Sequence, residues 1–409
     1  MPRGPKFRKV EGGVTATDGF SAAGVSCGIK TSEGALDLGL LLSDRPCVAA
    51  GVFTTIACPA APVLWSRGLV EQGSGRAVVV NSGNANACTG EDGERDAAAM
   101  AIAAGQELGI EPDQVAVAST GVIGRPLPMD KVVVGVADAA EELSPAATAG
   151  DRFAEAILTT DTAPKTIAIR TVLDGKVVTV GGACKGAGMI CPDMATMLAF
   201  LTTDAAISPR PLRRALRAAA DASFNCITVD GDMSTNDTVL VLANGAAGNA
   251  RITDGGEAYR HFVEALTFVC THLAKMIVRD GEGATKFVEI NVRNAASRDE
   301  ARTAARAIAN SPLVKCALHG EDPNWGRIIC KAAGCGIRFK PGLAKLRIGG
   351  KLAFEGGTPA DTPIAELEQA MQPAEIVIDL DLGLGKGAAT VWTCDLSREY
   401  VAINADYHT

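Results

Sequence analysis

Short apolar runs that end in polar, glycine-containing loops, each followed by an alanine-rich helical stretch, recur along the first third of this chain. They commit it to interleaved strands and helices. Residues 77–80 (AVVV) read as a buried strand and run into 81–87 (NSGNANA) before a helical pattern over 94–108. Residues 115–118 (VAVA) repeat the arrangement and end at 119–124 (STGVIG). Taken as pattern, both loops are ordinary turns; taken as chemistry, they are places where exposed backbone N–H groups meet a ligand. Helical patterns follow over 129–143 and 146–158, the second closing on 159–162 (TTDT). Two strand-like runs, 166–170 and 177–180, then flank Asp174 and Gly175, a dipeptide suited to the positive φ angles of a tight hairpin turn. Farther on, a long helical pattern covers 257–278.

With 409 residues, 47% hydrophobic and 21% charged, the chain is long and apolar enough for a large core, and its length suggests two or three domains, although no Pro/Ser-rich or charged linker separates them. Its 39 Lys and Arg against 47 Asp and Glu give a net charge of −8, which works against nucleic acid and anionic membranes, both of which need clustered cations. No run approaches the roughly 20 uninterrupted apolar residues of a membrane span, and the amino end turns polar before a signal core forms, so a cytoplasmic protein is expected. The 12 cysteines are scattered through apolar segments and read as reduced, mostly buried thiols. Without a Cys-x-x-Cys pair, and with the four histidines far apart, no metal site is expected.

The second hairpin strand runs into the most informative stretch, residues 181–204 (GGACKGAGMICPDMATMLAFLTTD). Four glycines allow close approach around a single cation, Lys185. Pro192 fixes φ just before a strand-like run in which Thr196 is the only hydroxyl before Thr202. By propensity, that hydroxyl is merely a β-former. Two weaker signals lie elsewhere. Residues 381–387 (DLGLGKG) resemble a phosphate loop only faintly, because Lys386 is followed by glycine rather than Ser or Thr, and a strand–turn connection fits better. Residues 224–237 are rich in acceptors but lack the EF-hand spacing, and they read as polar scaffolding without an assigned role.

Residues 185–190 (KGAGMI) and 194–200 (MATMLAF) closely resemble the self-cleaving glutamate N-acetyltransferases, or ornithine acetyltransferases. Residues 81–87, 119–124, 159–162, 280–286 (DGEGATK), 319–327 (HGEDPNWGR) and 403–407 (INADY) are similar to the same family, in the same order. The resemblance implies an α+β layered helix/sheet sandwich with a smaller C-terminal domain from about residue 285. It implies backbone cleavage between Ala195 and Thr196 into an α chain, 1–195, and a β chain, 196–409, which stay together and pair into an α2β2 heterotetramer.

It further implies that Thr196 becomes an N-terminal nucleophile, with Thr120 and Gly121 as the oxyanion hole and Thr159, Lys185, Thr196, Glu282, Asn404 and Thr409 as substrate contacts. The expected reaction is ping-pong transfer of acetyl from N2-acetyl-L-ornithine to Thr196 and then to L-glutamate, within cyclic arginine biosynthesis. No cofactor is expected, acetyl-CoA being an optional second donor. The alternative is an amidase or aminopeptidase on the same scaffold, with water as acceptor.

The residue types suit that chemistry. A threonine hydroxyl needs a positioned base, and cleavage would supply its own α-amine, with an ordinary pKa of about 7.7–8.0. A neighbouring cation such as Lys185 would lower that value. Both amino acids carry an α-carboxylate and ornithine adds a side-chain cation, so a pocket for them needs a positive and an acidic group; Lys185 and Glu282 suit these tasks. On loop composition alone, Glu282 would be a solvated charge and Asn404 a fraying tail residue.

Overall fold

The protein is described by a computed structural model that covers residues 7–191, 197–253 and 255–406. Among these residues, nine strands form one sheet: β1 (Arg8–Val10), β2 (Phe20–Val25), β3 (Leu38–Phe53), β4 (Ser74–Asn84), β5 (Val115–Val122), β6 (Lys165–Leu173), β7 (Lys176–Lys185), β8 (Leu198–Thr203) and β9 (Thr238–Ala243). Their order is β1-β6-β7-β8-β9-β3-β4-β5, with β2 against β3. The helices over this part are α1 (Ala61–Gln72), α2 (Gly90–Leu108), α3 (Met129–Glu141), α4 (Ala147–Ala156), α5 (Pro209–Asp221) and α6 (Gly256–Arg279).

The period-2 alternation of the strands builds two layers of core on each strand. In β8 and β9, Leu198, Phe200, Leu240 and Leu242 join Val78 and Val80 of β4 and Ala116 and Ala118 of β5 in one cluster between strands. The intervening residues face helices: Ala199, Leu201, Val239 and Val241 pack with α5 and α6, and Ala77, Val79, Val115 and Val117 pack with α2 and α3. The result is the expected helix–sheet–sheet–helix sandwich. The long β3 links its halves, pairing with β4 near its start and with β9 over Val48–Phe53, with a register break between Leu42 and Cys47.

The β6–β7 hairpin turns at Asp174 and Gly175, with φ of 48° and 76° as a tight primed turn requires. Strand ends depart from the sequence reading in one respect. Residues 81–84 and 119–122, expected as loops, are strand, because the parallel β4–β5 ladder continues past the apolar run. Side-chain hydrogen bonds make this possible without apolar residues: Ser119 donates to Asn81 Oδ1 at 2.6 Å, and Ser82 to the Ala156 carbonyl at 2.6 Å.

A second sheet holds β10 (Phe287–Ala295), β11 (Lys345–Ile348), β12 (Lys351–Glu355), β13 (Thr358–Pro359), β14 (Glu375–Asp381) and β15 (Gly387–Cys394), in the order β13-β12-β11-β14-β10-β15. Helices α7 (Arg298–Ala309), α8 (Pro312–His319), α9 (Trp325–Ala333) and α10 (Ile364–Met371) belong to this part, and α11 (Arg398–Asp406) follows β15. The phosphate-loop-like segment is the connection from β14 to β15. By length and composition α6 matches a membrane-spanning helix, but Phe262, Leu266, Val269, Leu273 and Ile277 are buried within the large core.

Candidate active site

Six residues singled out in the sequence, Thr120, Gly121, Thr159, Lys185, Glu282 and Asn404, line one cavity of about 200 Å³. They come from the end of β5, the loop after α4, the end of β7, the loop after α6 and helix α11. Ala195, Thr196 and Thr409 lie outside the described residues, but Met197, next to Thr196, is fixed at the entry to β8: its carbonyl accepts the Thr238 N–H at 3.0 Å. A larger cavity of about 340 Å³, lined by Arg293, Arg298 and Arg302 among others, contains none of the six.

Thr120 follows Ala116 and Ala118 in the alternation that faces the inter-strand core, and it is 5% exposed. Gly121 must be glycine: its φ is 131°, and a Cβ there would lie 2.3 Å from the Gly83 carbonyl carbon. Lys185, 4% exposed, donates from Nζ to Thr120 Oγ1 at 3.2 Å. Since an ammonium can only donate, the threonine oxygen is the acceptor and its own O–H remains available to another group. Burial pushes the Lys185 ammonium below its ordinary value, against the pull of Asp161.

Asp161 was not identified from the sequence as a functional residue, although it lies within the Thr159–Thr162 landmark. Its carboxylate accepts the Gly186 N–H at 2.6 Å, the Lys165 ammonium at 2.6 Å and the Thr159 N–H at 3.1 Å, so it ties two walls of the cavity together. Burial alone would raise this carboxyl, but Lys185 and Lys165 outweigh it and hold the pKa at about 2. Asp280 completes the cluster by accepting from Lys165 and from the Thr162 hydroxyl.

Glu282 is only 9% exposed, so the solvated-loop reading fails. Its N–H donates to the Ala187 carbonyl at 2.9 Å, and its Oε2 accepts from Asn404 Nδ2 at 2.7 Å. Gly188 makes room for it: a Cβ there would fall 2.5 Å from the Glu282 carboxyl. Asn404 belongs to α11 and not to a frayed tail. Ser397 donates to the Gly283 carbonyl at 2.6 Å just before that helix, and the Tyr400 hydroxyl reaches Asp230 at 3.3 Å.

The acceptor-rich segment 224–237 now has specific tasks that the sequence reading missed. Asp230 accepts the backbone N–H groups of Met189 and Ile190 at 2.6 and 2.9 Å, shaping the wall beside Gly188. Burial pushes its carboxyl up, against those same N–H donors. Asn236 donates to the Ala85 and Ser119 carbonyls at 2.6 and 2.9 Å, joining the ends of β4 and β5 to the segment before β9. Ser234 and Asn236 also line the cavity. The only signal for these roles in the sequence was the local density of acceptors.

A single small cavity thus contains one buried cation, one carboxylate and a hydroxyl oriented by that cation. The chain matches the ArgJ family over residues 21–409. It belongs to that family. The chain is 53% identical over 399 residues to the arginine biosynthesis bifunctional protein ArgJ of Symbiobacterium thermophilum, covering 97% of this chain and 99% of that one. The protein of the same name from Bacillus licheniformis is 47% identical over 404 residues, covering 98% of each. The crystal structure of arginine biosynthesis bifunctional protein argJ from Bacillus halodurans, 41% identical, aligns with a TM-score of 0.50 over 51% of this chain and 98% of that one.

Proposed function

We propose that this chain is a glutamate N-acetyltransferase that moves acetyl from N2-acetyl-L-ornithine to L-glutamate through an acetyl ester on Thr196. Family membership carries the coarser statement, an autoproteolytic acetyltransferase of arginine biosynthesis acting on small amino-acid substrates. The observation that supports the finer one is the pairing of Lys185 and Glu282 within a single cavity of about 200 Å³. A cation and a carboxylate there answer the α-carboxylate and side-chain ammonium of ornithine, and burial makes both interactions stronger than in water.

The mechanism follows from the same groups. Cleavage before Thr196 gives that residue an α-amine close to its own hydroxyl, and the amine takes the hydroxyl proton as Oγ attacks the acetyl carbonyl. Negative charge then develops on the carbonyl oxygen. The Thr120 O–H, left free because Lys185 occupies its oxygen, and the Gly121 N–H are the donors for that charge. Ornithine leaves with the proton, and the α-amine of glutamate attacks the ester by the reverse route. Thr159, Asn404 and Thr409 complete the substrate contacts in this reading.

The Bacillus halodurans chain is almost wholly covered by half of this one, so it is a half-length chain, which supports two polypeptides from one precursor. Association of two such pairs as α2β2, a cytoplasmic location, the absence of a cofactor, and acetyl-CoA as a second donor are parts of the same proposal. The test is acetyl transfer from isotopically labelled N2-acetyl-L-ornithine. Labelled N-acetylglutamate should form only when glutamate is present. Release of labelled acetate at the same rate without glutamate would identify a hydrolase instead.

A further inference from the structure

We propose that Asp395, oriented by His319, is the positioning residue that sets Glu282 opposite Asn404, and that it thereby decides how strongly the cavity prefers a substrate with a side-chain ammonium. The inference rests on the reading of Glu282 given above. It also gives a task to the 319–327 landmark, none of whose residues lines the cavity.

Both parts of this wall meet the second sheet at one corner. Phe287 at the start of β10 pairs with Cys394 at the end of β15, so the loop that carries Glu282 enters the sheet beside the point where the chain leaves it toward α11 and Asn404. Asp395 sits at that corner with its side chain fully buried. Its Oδ1 accepts the backbone N–H groups of Thr285 and Lys286, both at 2.8 Å. Its Oδ2 accepts the Thr285 hydroxyl at 2.6 Å and the His319 Nδ1 at 2.7 Å. One carboxylate therefore ties the chain just after Glu282 to the chain that leads to Asn404.

The electrostatics agree with that geometry. Burial would raise the Asp395 carboxyl, but the Thr285 hydroxyl, the Thr285 and Lys286 N–H groups and His319 outweigh it and hold the group below its ordinary value. A carboxylate only accepts, so His319 Nδ1 carries the proton and donates. His319 ends α8, and the same helix grips the corner twice more. The Lys315 carbonyl accepts the Leu396 N–H at 3.2 Å, and Lys315 Nζ donates to the Thr393 hydroxyl at 3.1 Å. Lys286, itself buried, anchors the start of β10 by donating from Nζ to Glu321 at 2.6 Å and to the Gln372 carbonyl at 2.7 Å.

None of these bonds touches the cavity. What they fix is the relative position of the loop and α11, and so the place where Glu282 Oε2 meets Asn404 Nδ2 at 2.7 Å. Placement of a charged contact matters to within about 1 Å, so a loosened corner weakens the hold on an ammonium before it affects the rest of the substrate. A corner that served stability alone would affect every acetylated amino acid alike.

The test compares kcat/KM for two donors, N2-acetyl-L-ornithine and N2-acetyl-L-norvaline, the same molecule without the side-chain amine, through formation of N-acetylglutamate. Wild type should prefer the ornithine compound by at least about 10-fold. His319→Ala should cut that preference about 5- to 10-fold, with the norvaline compound little changed. His319→Asn, which can place an N–H where Nδ1 stands, should restore the preference; His319→Gln, whose N–H falls nearer Nε2, should not. Thr285→Val removes the other donor to Oδ2 and should act in the same direction, and it decides the matter if His319→Ala does not fold. Equal losses with both donors, or an unchanged preference, would make the corner structural and overturn the proposal, as would rescue by Gln and not by Asn. A wild-type enzyme that takes both donors equally well would instead sink the ammonium reading of Glu282, and the proposal with it.

Discussion

Two walls of the same cavity are built in different ways. One comes from strand ends: Thr120 and Gly121 on β5 and Lys185 on β7 continue strands whose alternate residues are sealed into the cores on both faces. The other pairs Glu282, on a loop tied to Ala187 through its N–H, with Asn404, on a terminal helix in which no residue is buried and which is held by bonds from Ser397, Tyr400 and Asn404. In the proposed mechanism the rigid wall carries the groups that must be placed before charge develops, since preorganised donors act without reorganising at the moment of reaction. In the same proposal this hung wall carries the groups that distinguish one amino acid from another. Chemistry and selectivity should therefore be separable by mutation.

The largest effect belongs to the strand wall. Thr120→Ala removes one donor and should lower kcat by about 10²–10³, or about 2.7–4 kcal/mol, with little change in KM. A variant affected only in KM would dissolve the contrast between the walls. Next, deleting residues 404–409 should abolish turnover while the chain still cleaves itself, because the deletion touches only the hung wall; full activity in the truncated protein would remove the tail from the site. Glu282→Gln comes third. Losing a charged partner costs about 1.5–3 kcal/mol, so kcat/KM for N2-acetyl-L-ornithine should fall about 10- to 150-fold. The glutamate half-reaction, assayed from pre-formed acetyl-enzyme, should change less.

The last and smallest effect is a displacement of the pH profile in Lys185→Met, over and above the fall in kcat/KM that follows from losing the proposed substrate-carboxylate contact and the bond to Thr120. In the proposed mechanism Lys185 is the cation nearest the Thr196 amine, and such a cation favours the neutral form of an amine and lowers its pKa. Removing the cation raises that pKa, so the acid limb of the kcat/KM profile should move to higher pH. An unshifted limb would remove the amine from the tasks of Lys185 and leave its contact to Thr120 and its proposed substrate contact.

The sequence displayed the sandwich through its alternation, because Val78, Val80, Leu198 and Phe200 must find one apolar layer and their neighbours another. It hid the ends of β4 and β5, where backbone pairing continues through Asn81, Ser82, Ser119 and Thr120 and the residues are buried by hydrogen bonds rather than by apolar contact. The cavity-lining residues were legible as short motifs around Lys185 and Glu282. Their supports were not: besides local bonds, Asp161, Asp230 and Asn236 reach groups 25 to 151 residues away, and nothing local marks those distant partnerships. Glu282 shows the same lesson from the other side, since its loop composition suggests solvent while Gly188 and Asn404 enclose it.

The central claim is that Thr196 is a released N-terminal nucleophile that carries the acetyl group. A denaturing intact-mass spectrum of the purified protein, before and after brief exposure to N2-acetyl-L-ornithine without glutamate, tests it directly. By share of length in the 42.0 kDa chain, the account predicts two species of about 20 and 22 kDa. The larger should begin Thr-Met-Leu-Ala-Phe and gain about 42 Da on exposure. A single uncleaved chain, or cleaved chains that never gain the acetyl mass, would contradict it.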